Sequence, residues 1–86
     1  MDIEFTWDGA KAKRNLKKHG VSFETAKQAF FDPHLIVVED CEVDGEMRYH
    51  AIGYAGSDLL LVVHVDRSEE DLEIIHIVFG TKGECL

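Results

Sequence analysis

Apolar and polar positions change rhythm near His34. Before it, from Trp7 to Pro33, the spacing is helical. Asp8 is placed to cap a first helix, because its carboxylate can accept from free amides of the first turn. Lys17 and Lys18 fall near that helix's C-terminal end, where the helix dipole favours cations, and Gly20 suits the left-handed residue that ends it. Ser22 is placed to cap a second helix with the apolar face Phe23, Ala26, Ala29 and Phe30. Pro33 drives Asp32 out of the α region and stops that helix. After it come four β-rich runs, LIVVED, MRYHAIGYA, LLLVVHV and LEIIHIVF. Asp44-Gly45 is a hairpin pair, Gly56-Ser57-Asp58 reads as a three-residue loop, and Arg67 to Asp71 is a polar connector. Short connections predict antiparallel neighbours, and the N-terminal IEFTW adds a further strand. The expected fold class is α+β: β-α-α followed by a four-stranded antiparallel meander, with both helices on one sheet face.

The first helix is short of apolar residues, with only Ala10, Ala12 and Leu16. Lys11, Asn15 and Lys18 share one of its faces, which reads either as a solvated surface or as a surface turned toward a polyanion. Composition sharpens that choice. The net charge is −8, from 17 acids against 9 bases, which argues against tight nonspecific nucleic-acid binding by the chain as a whole. Five of the nine bases, however, fall between Lys11 and Lys18, while the acids concentrate at Glu39 to Glu46 and Asp66 to Glu73. An acidic surface also suits a basic protein partner. Eighty-six residues are expected to form a single domain, 1–86. The N-terminus lacks a signal-peptide pattern and no apolar run is long enough for a bilayer, so the chain is expected in the cytoplasm, with no membrane partner. Cys41 and Cys85 have neither metal-ligand spacing nor a disulfide-framework count, and are read as free.

Strand alternation groups the candidate chemistry. A three-residue loop after the second meander strand sets position 50 opposite 64, and 48 opposite 66. Tyr49, Ala51, Gly53, Leu61, Val63 and Val65 would then face the helices, while Arg48, His50, His64 and Asp66 would share the other face, with His76 joining them. Three readings of this polar face stand side by side. Three imidazoles suggest a zinc site, although no pair has the i, i+2 spacing of a strand-borne one. Each histidine alternatively is a half-buried sheet residue with one hydrogen bond. The third reading is acid–base chemistry on a phosphodiester, with histidine moving a proton and Arg48 stabilising charge on the phosphate. RNA brings its own 2′-hydroxyl to that reaction, so the protein needs no nucleophile, metal or other cofactor.

The ordered pieces WD-x-x-K-x-x-x-N-x-x-KHGVSF, A-x-x-x-F-x-DP, GEMRYHAIGYAG and LLLVVHV, from Trp7 to about His64, resemble the BrnT family of toxins from bacterial type II toxin–antitoxin systems. The resemblance implies a RelE/ParE-like fold and a ribonuclease that blocks translation. It also implies inhibition by a BrnA-like antitoxin with a ribbon-helix-helix domain, and contact with operator DNA only through that antitoxin. By position, the family's recurrent polar residues fall on Lys11, Asn15, Lys18, His19, Glu46, Arg48 and His64. On this reading Lys11, Asn15, Lys18 and His19 bind RNA, and Arg48, His64, His50, His76 and Glu46 form the catalytic set. Trp7, Phe23, Phe30 and Gly53 serve packing and turns.

The last strand departs from the family. Val78 and Phe79 stand where the family usually has an arginine and a lysine, and the basic C-terminal helix is absent. A missing arginine removes a strong phosphate contact, so an alternative is an inactive module that only binds its antitoxin and contributes to operon repression. A metal-dependent hydrolase using His50, His64 and His76 is a third expectation.

Overall fold

In the computed structural model, which describes residues 2–82, the strand β1 (Asp2–Trp7) leads into α1 (Gly9–His19) and a short α2 (Phe23–Ala26), continued by a 3-10 helix, Lys27–Phe31. Then come β2 (Ile36–Val43), β3 (Glu46–Ala55), β4 (Asp58–Asp66) and β5 (Leu72–Lys82). The helix ends are built as their chemistry dictates. The Asp8 carboxylate accepts from the N–H groups of Ala10 (2.9 Å) and Lys11 (3.1 Å), and these bonds hold its pKa down. Gly20 closes α1 at φ 71°, donating its N–H to Leu16 O. The Ser22 hydroxyl accepts from Thr25 N–H at the start of α2.

The expected fold class needs correction. All five strands form one mixed sheet in the order β1-β5-β4-β3-β2, and β1 runs parallel to β5, from Asp2 opposite Leu72 to Trp7 opposite Ile77. The molecule is a β-rich sheet with two short helices, not a β-α-α unit followed by an independent four-stranded antiparallel meander. The physical reason lies in the alternation of β1. Ile3, Phe5 and Trp7 pack against the same core as β5, and a parallel neighbour requires a long crossover: the two helices carry the chain to β2 at the far edge, and β2, β3 and β4 bring it back to β5. The terminal helix that this sequence was expected to lack falls after Lys82, outside the described residues.

The core lies between the helices and one sheet face. Val21, Phe23, Ala26 and Ala29 meet Ala51, Ala55, Leu60, Val62, Ile75 and Ile77 there. Gly53 lets the 3-10 helix rest directly on β3: a Cβ at this position would stand 2.5 Å from Ala29 O. The Asp32 carboxylate fastens the same corner, accepting from Tyr54 N–H (2.7 Å) and His34 N–H (2.8 Å).

The β3–β4 pairing also differs from expectation. Gly56 and Ser57 alone form the loop, with Ala55 opposite Asp58 and Gly56 at φ 63°, the backbone sign that a tight two-residue hairpin needs at its first position. Position 50 therefore stands opposite 63, and 48 opposite 65. The one-residue shift exchanges the two faces of β4. Leu60, Val62 and His64 face the helices, while Leu61, Val63 and Val65 lie beneath the open face with Arg48 and His50.

Candidate functional site

The open face carries a polar row across four strands. Arg48 on β3 pairs with Val65 on β4, Val65 with His76 on β5, and His76 with Thr6 on β1. Adjacent strands lie about 4.8 Å apart, so the Arg48 and His76 backbones are roughly 10 Å apart, a gap that both side chains can close over one phosphate. Val65 between them is 5% exposed and forms an apolar floor. Thr6 Oγ1 lies 2.8 Å from His76 Nδ1 and fixes the ring.

Beside this row Arg67 makes a two-pronged pair with Glu46, each of its two bonds 3.0 Å long. Arg67 holds the Glu46 carboxyl below its usual range and keeps it ionised. Burial pushes the His76 pKa down, and the Arg67 guanidinium pushes it further, against a smaller upward pull from Glu46. His76 is therefore neutral near pH 7 and able to accept a proton. His50 lies one row away, with Nε2 2.9 Å from an Asp40 carboxylate oxygen.

A cationic cleft adjoins this corner. Lys11, Arg14, Lys18 and His19 of α1 face Val78 and Phe79 of β5 across it. The His19 ring meets Phe79 edge-on at 4.7 Å, and its Nε2 is buried without a hydrogen-bond partner. Lys11 of the cleft and Asp8 beside it both act on the His76 charge, so the cleft adjoins the row.

Two expected members stand apart. Asn15 is 6% exposed, and its amide is spent on the backbone: Nδ2 donates to Val21 O (2.9 Å) and Gly80 O (2.7 Å), and Oδ1 accepts from Gly80 N–H (3.2 Å). It docks α1, leaving Lys11 and Lys18 at the rim of the cleft. His64 is on the opposite sheet face from Arg48, 3% exposed, stacked on Tyr49 (5.8 Å) and edge-on to Phe30 (4.8 Å). The expected grouping of Arg48, His50, His64 and Asp66 is therefore corrected: Arg48, His50, His76 and Glu46 share the open face, and His64 and Asp66 do not. The separation of His64 from His50 and His76 also breaks up the proposed three-imidazole metal site. Among the described residues no group of His, Cys, Asp or Glu is gathered to hold a metal ion. Cys41 is free and exposed, and Cys85 lies outside the described residues.

Residues 7–78 match the family described as "Ribonuclease toxin, BrnT, of type II toxin-antitoxin system". The chain belongs to the BrnT toxin family. BrnT proteins are ribonuclease toxins of type II toxin–antitoxin systems, which gives this chain an RNA target and an antitoxin partner. Comparison with curated proteins finds no match. Among the described residues no helix is long and apolar enough to cross a membrane.

Sequence reasoning missed two residues that the structure brings to the open-face row, Thr6 and Arg67. Thr6 was legible only as a strand residue, and Arg67 only as part of a polar connector. Both enter through long-range pairing, Thr6 across 70 positions and Arg67 across 21.

Burial gives His64 a separate, measurable consequence. Its pKa is pushed down, chiefly by desolvation. A proton is therefore bound more readily by the unfolded chain, where histidine titrates at about 6.5. The stability that neutral His64 allows is complete above that value and is lost as pH falls through it toward the lower folded value. His76 acts in the same direction. The melting temperature should fall between about pH 7.5 and pH 5, before the carboxylates titrate, and His64→Gln should flatten that fall. An unchanged slope in His64→Gln would remove His64 as a source.

Proposed function

We propose that this BrnT-family protein is an endoribonuclease whose centre is the open-face row of Arg48 and His76, fed by the cationic cleft of α1. The reading rests above all on one observation: Arg48 and His76 flank buried Val65 in a single cross-strand row. Lys11, Lys18 and His19 hold the RNA backbone along the cleft. His76 takes the proton of a ribose 2′-hydroxyl, whose oxygen attacks the adjacent phosphorus. Arg48 stabilises the charge that develops on the non-bridging oxygens. The P–O5′ bond breaks, and the departing 5′-oxygen takes a proton from His50 or from water. The products are a 2′,3′-cyclic phosphate and a 5′-hydroxyl, and the step needs no metal ion.

Glu46 serves this centre by fixing Arg67, and Asn15 serves the cleft by docking α1. Cleavage of RNA would inhibit translation. A BrnA-like ribbon-helix-helix antitoxin neutralises the toxin, and operator DNA is met only through that antitoxin. In place of the arginine and lysine absent at Val78 and Phe79, the α1 cations across the cleft from these two residues supply the positive charge in this reading.

Purified protein free of antitoxin, incubated with RNA in excess EDTA, should release fragments ending in a 2′,3′-cyclic phosphate. All-DNA strands of the same sequence should stay intact. Fragments carrying a 3′-hydroxyl, or cleavage restored only by added metal, would overturn the mechanism. No cleavage, together with no growth arrest on induction without antitoxin, would favour the inactive binding module.

A further inference from the structure

We infer that Thr6 is a positioning residue of the RNA-cleaving site, acting through His76; this rests on the ribonuclease reading above. Thr6 lies just outside the residues that match the family, 7–78. It sits on the edge strand β1, in parallel register with His76 of β5. Ile3, Phe5 and Trp7 of that strand pack against the core, so alternation turns Thr6 to the open face. Its Oγ1 meets His76 Nδ1 at 2.8 Å.

An imidazole has two nitrogens, and the bond made by one decides what the other can do. The Nδ1–H of His76 donates to Thr6 Oγ1, which leaves the Nε2 lone pair to take the 2′-hydroxyl proton. Once protonated, the ring still donates from Nδ1 to the same oxygen, so no rearrangement accompanies the transfer. The charged groups around His76 are Arg67, Glu46, Lys11 and Asp8, and burial with Arg67 opposes protonation of the resting ring. A hydroxyl that accepts from Nδ1 fixes the tautomer without adding a charge to this set. Valine would fill the same strand position equally well, so packing alone does not require the hydroxyl.

The test compares Thr6→Val and Thr6→Ser with the wild type. Thr6→Val should lower kcat about 10-fold, a fraction of the 10²–10⁴ that positioned proton transfer contributes, with KM unchanged. Thr6→Ser, which keeps the hydroxyl, should retain most of the rate. Nitrogen-15 NMR of the labelled imidazole should find the proton on Nδ1 in the wild type and shared between both nitrogens in Thr6→Val. Equal rates in Thr6→Val and wild type, or equal losses in both variants, would overturn the inference. If the wild type does not cleave RNA, the ribonuclease reading fails on its own, and the NMR measurement still decides: a wild-type proton on Nε2 excludes the role assigned to Thr6.

Discussion

Replacing Arg48 by alanine should slow RNA cleavage about 100-fold or more, the scale on which a single electrostatic stabiliser acts in a transition state. The guanidinium projects from β3 in the same cross-strand row as His76, with Val65 as the floor between them. Its contribution grows as negative charge accumulates on the non-bridging oxygens, so single-turnover rates should fall more than RNA affinity. Arg48→Lys should recover part of the rate, because a point charge replaces a planar fork. Arg48 is half-buried and makes no salt bridge to a described residue, so its truncation should leave the melting temperature nearly unchanged. His64→Gln provides the contrast, since it alters the opposite sheet face and should alter stability with little effect on cleavage. Wild-type rates in Arg48→Ala, or a loss matched by collapse of the fold, would sink the assignment.

Local chemistry made much of this architecture legible. Asp8, Gly20 and Ser22 bound the helices where capping rules put them. Asp44-Gly45 forms its hairpin with positive φ at both residues, 52° and 81°. Where the reading failed, the sequence was compatible with two registers. Gly56-Ser57-Asp58 admits a loop of two or three residues. The strand after it is central in the sheet, with apolar side chains on both faces, so alternation could not choose between Leu60-Val62-His64 and Leu61-Val63-Val65. A bulge between Val63 and His64 shifts the register with β5 once more. The parallel pairing of β1 with β5 left no turn signal, because its partners lie at opposite ends of the chain. Both differences changed which candidate residues share the open face: the loop length took His64 off it, and the parallel pair brought Thr6 beside His76.

Asn15→Ala should be among the most destabilising single changes in the protein, although it removes only a small amide. β1 ends at Trp7, opposite Ile77, while β5 continues to Lys82. Beyond that point Gly80 turns its N–H and C=O toward α1, and the Asn15 amide meets both, as a neighbouring strand's peptide would. The same Nδ2 also holds Val21 O, at the turn between α1 and α2. The scarcity of apolar residues on α1 has its explanation here, since the helix docks through a buried amide as well as through Ala12. Alanine leaves a buried N–H and two carbonyls without that partner. At about 1–3 kcal/mol for each group left unsatisfied, and with some relief from entering water, a loss of about 3 kcal/mol is expected. For a domain of this size that corresponds to a fall in melting temperature of roughly 12–24 °C. Asn15→Asp should do no better, because a carboxylate accepts from Gly80 N–H but confronts two carbonyl oxygens without a donor. Thermal unfolding of both variants decides the point. Stability within 1 kcal/mol of wild type would mean that water replaces the amide, and that α1 is held to β5 by other contacts.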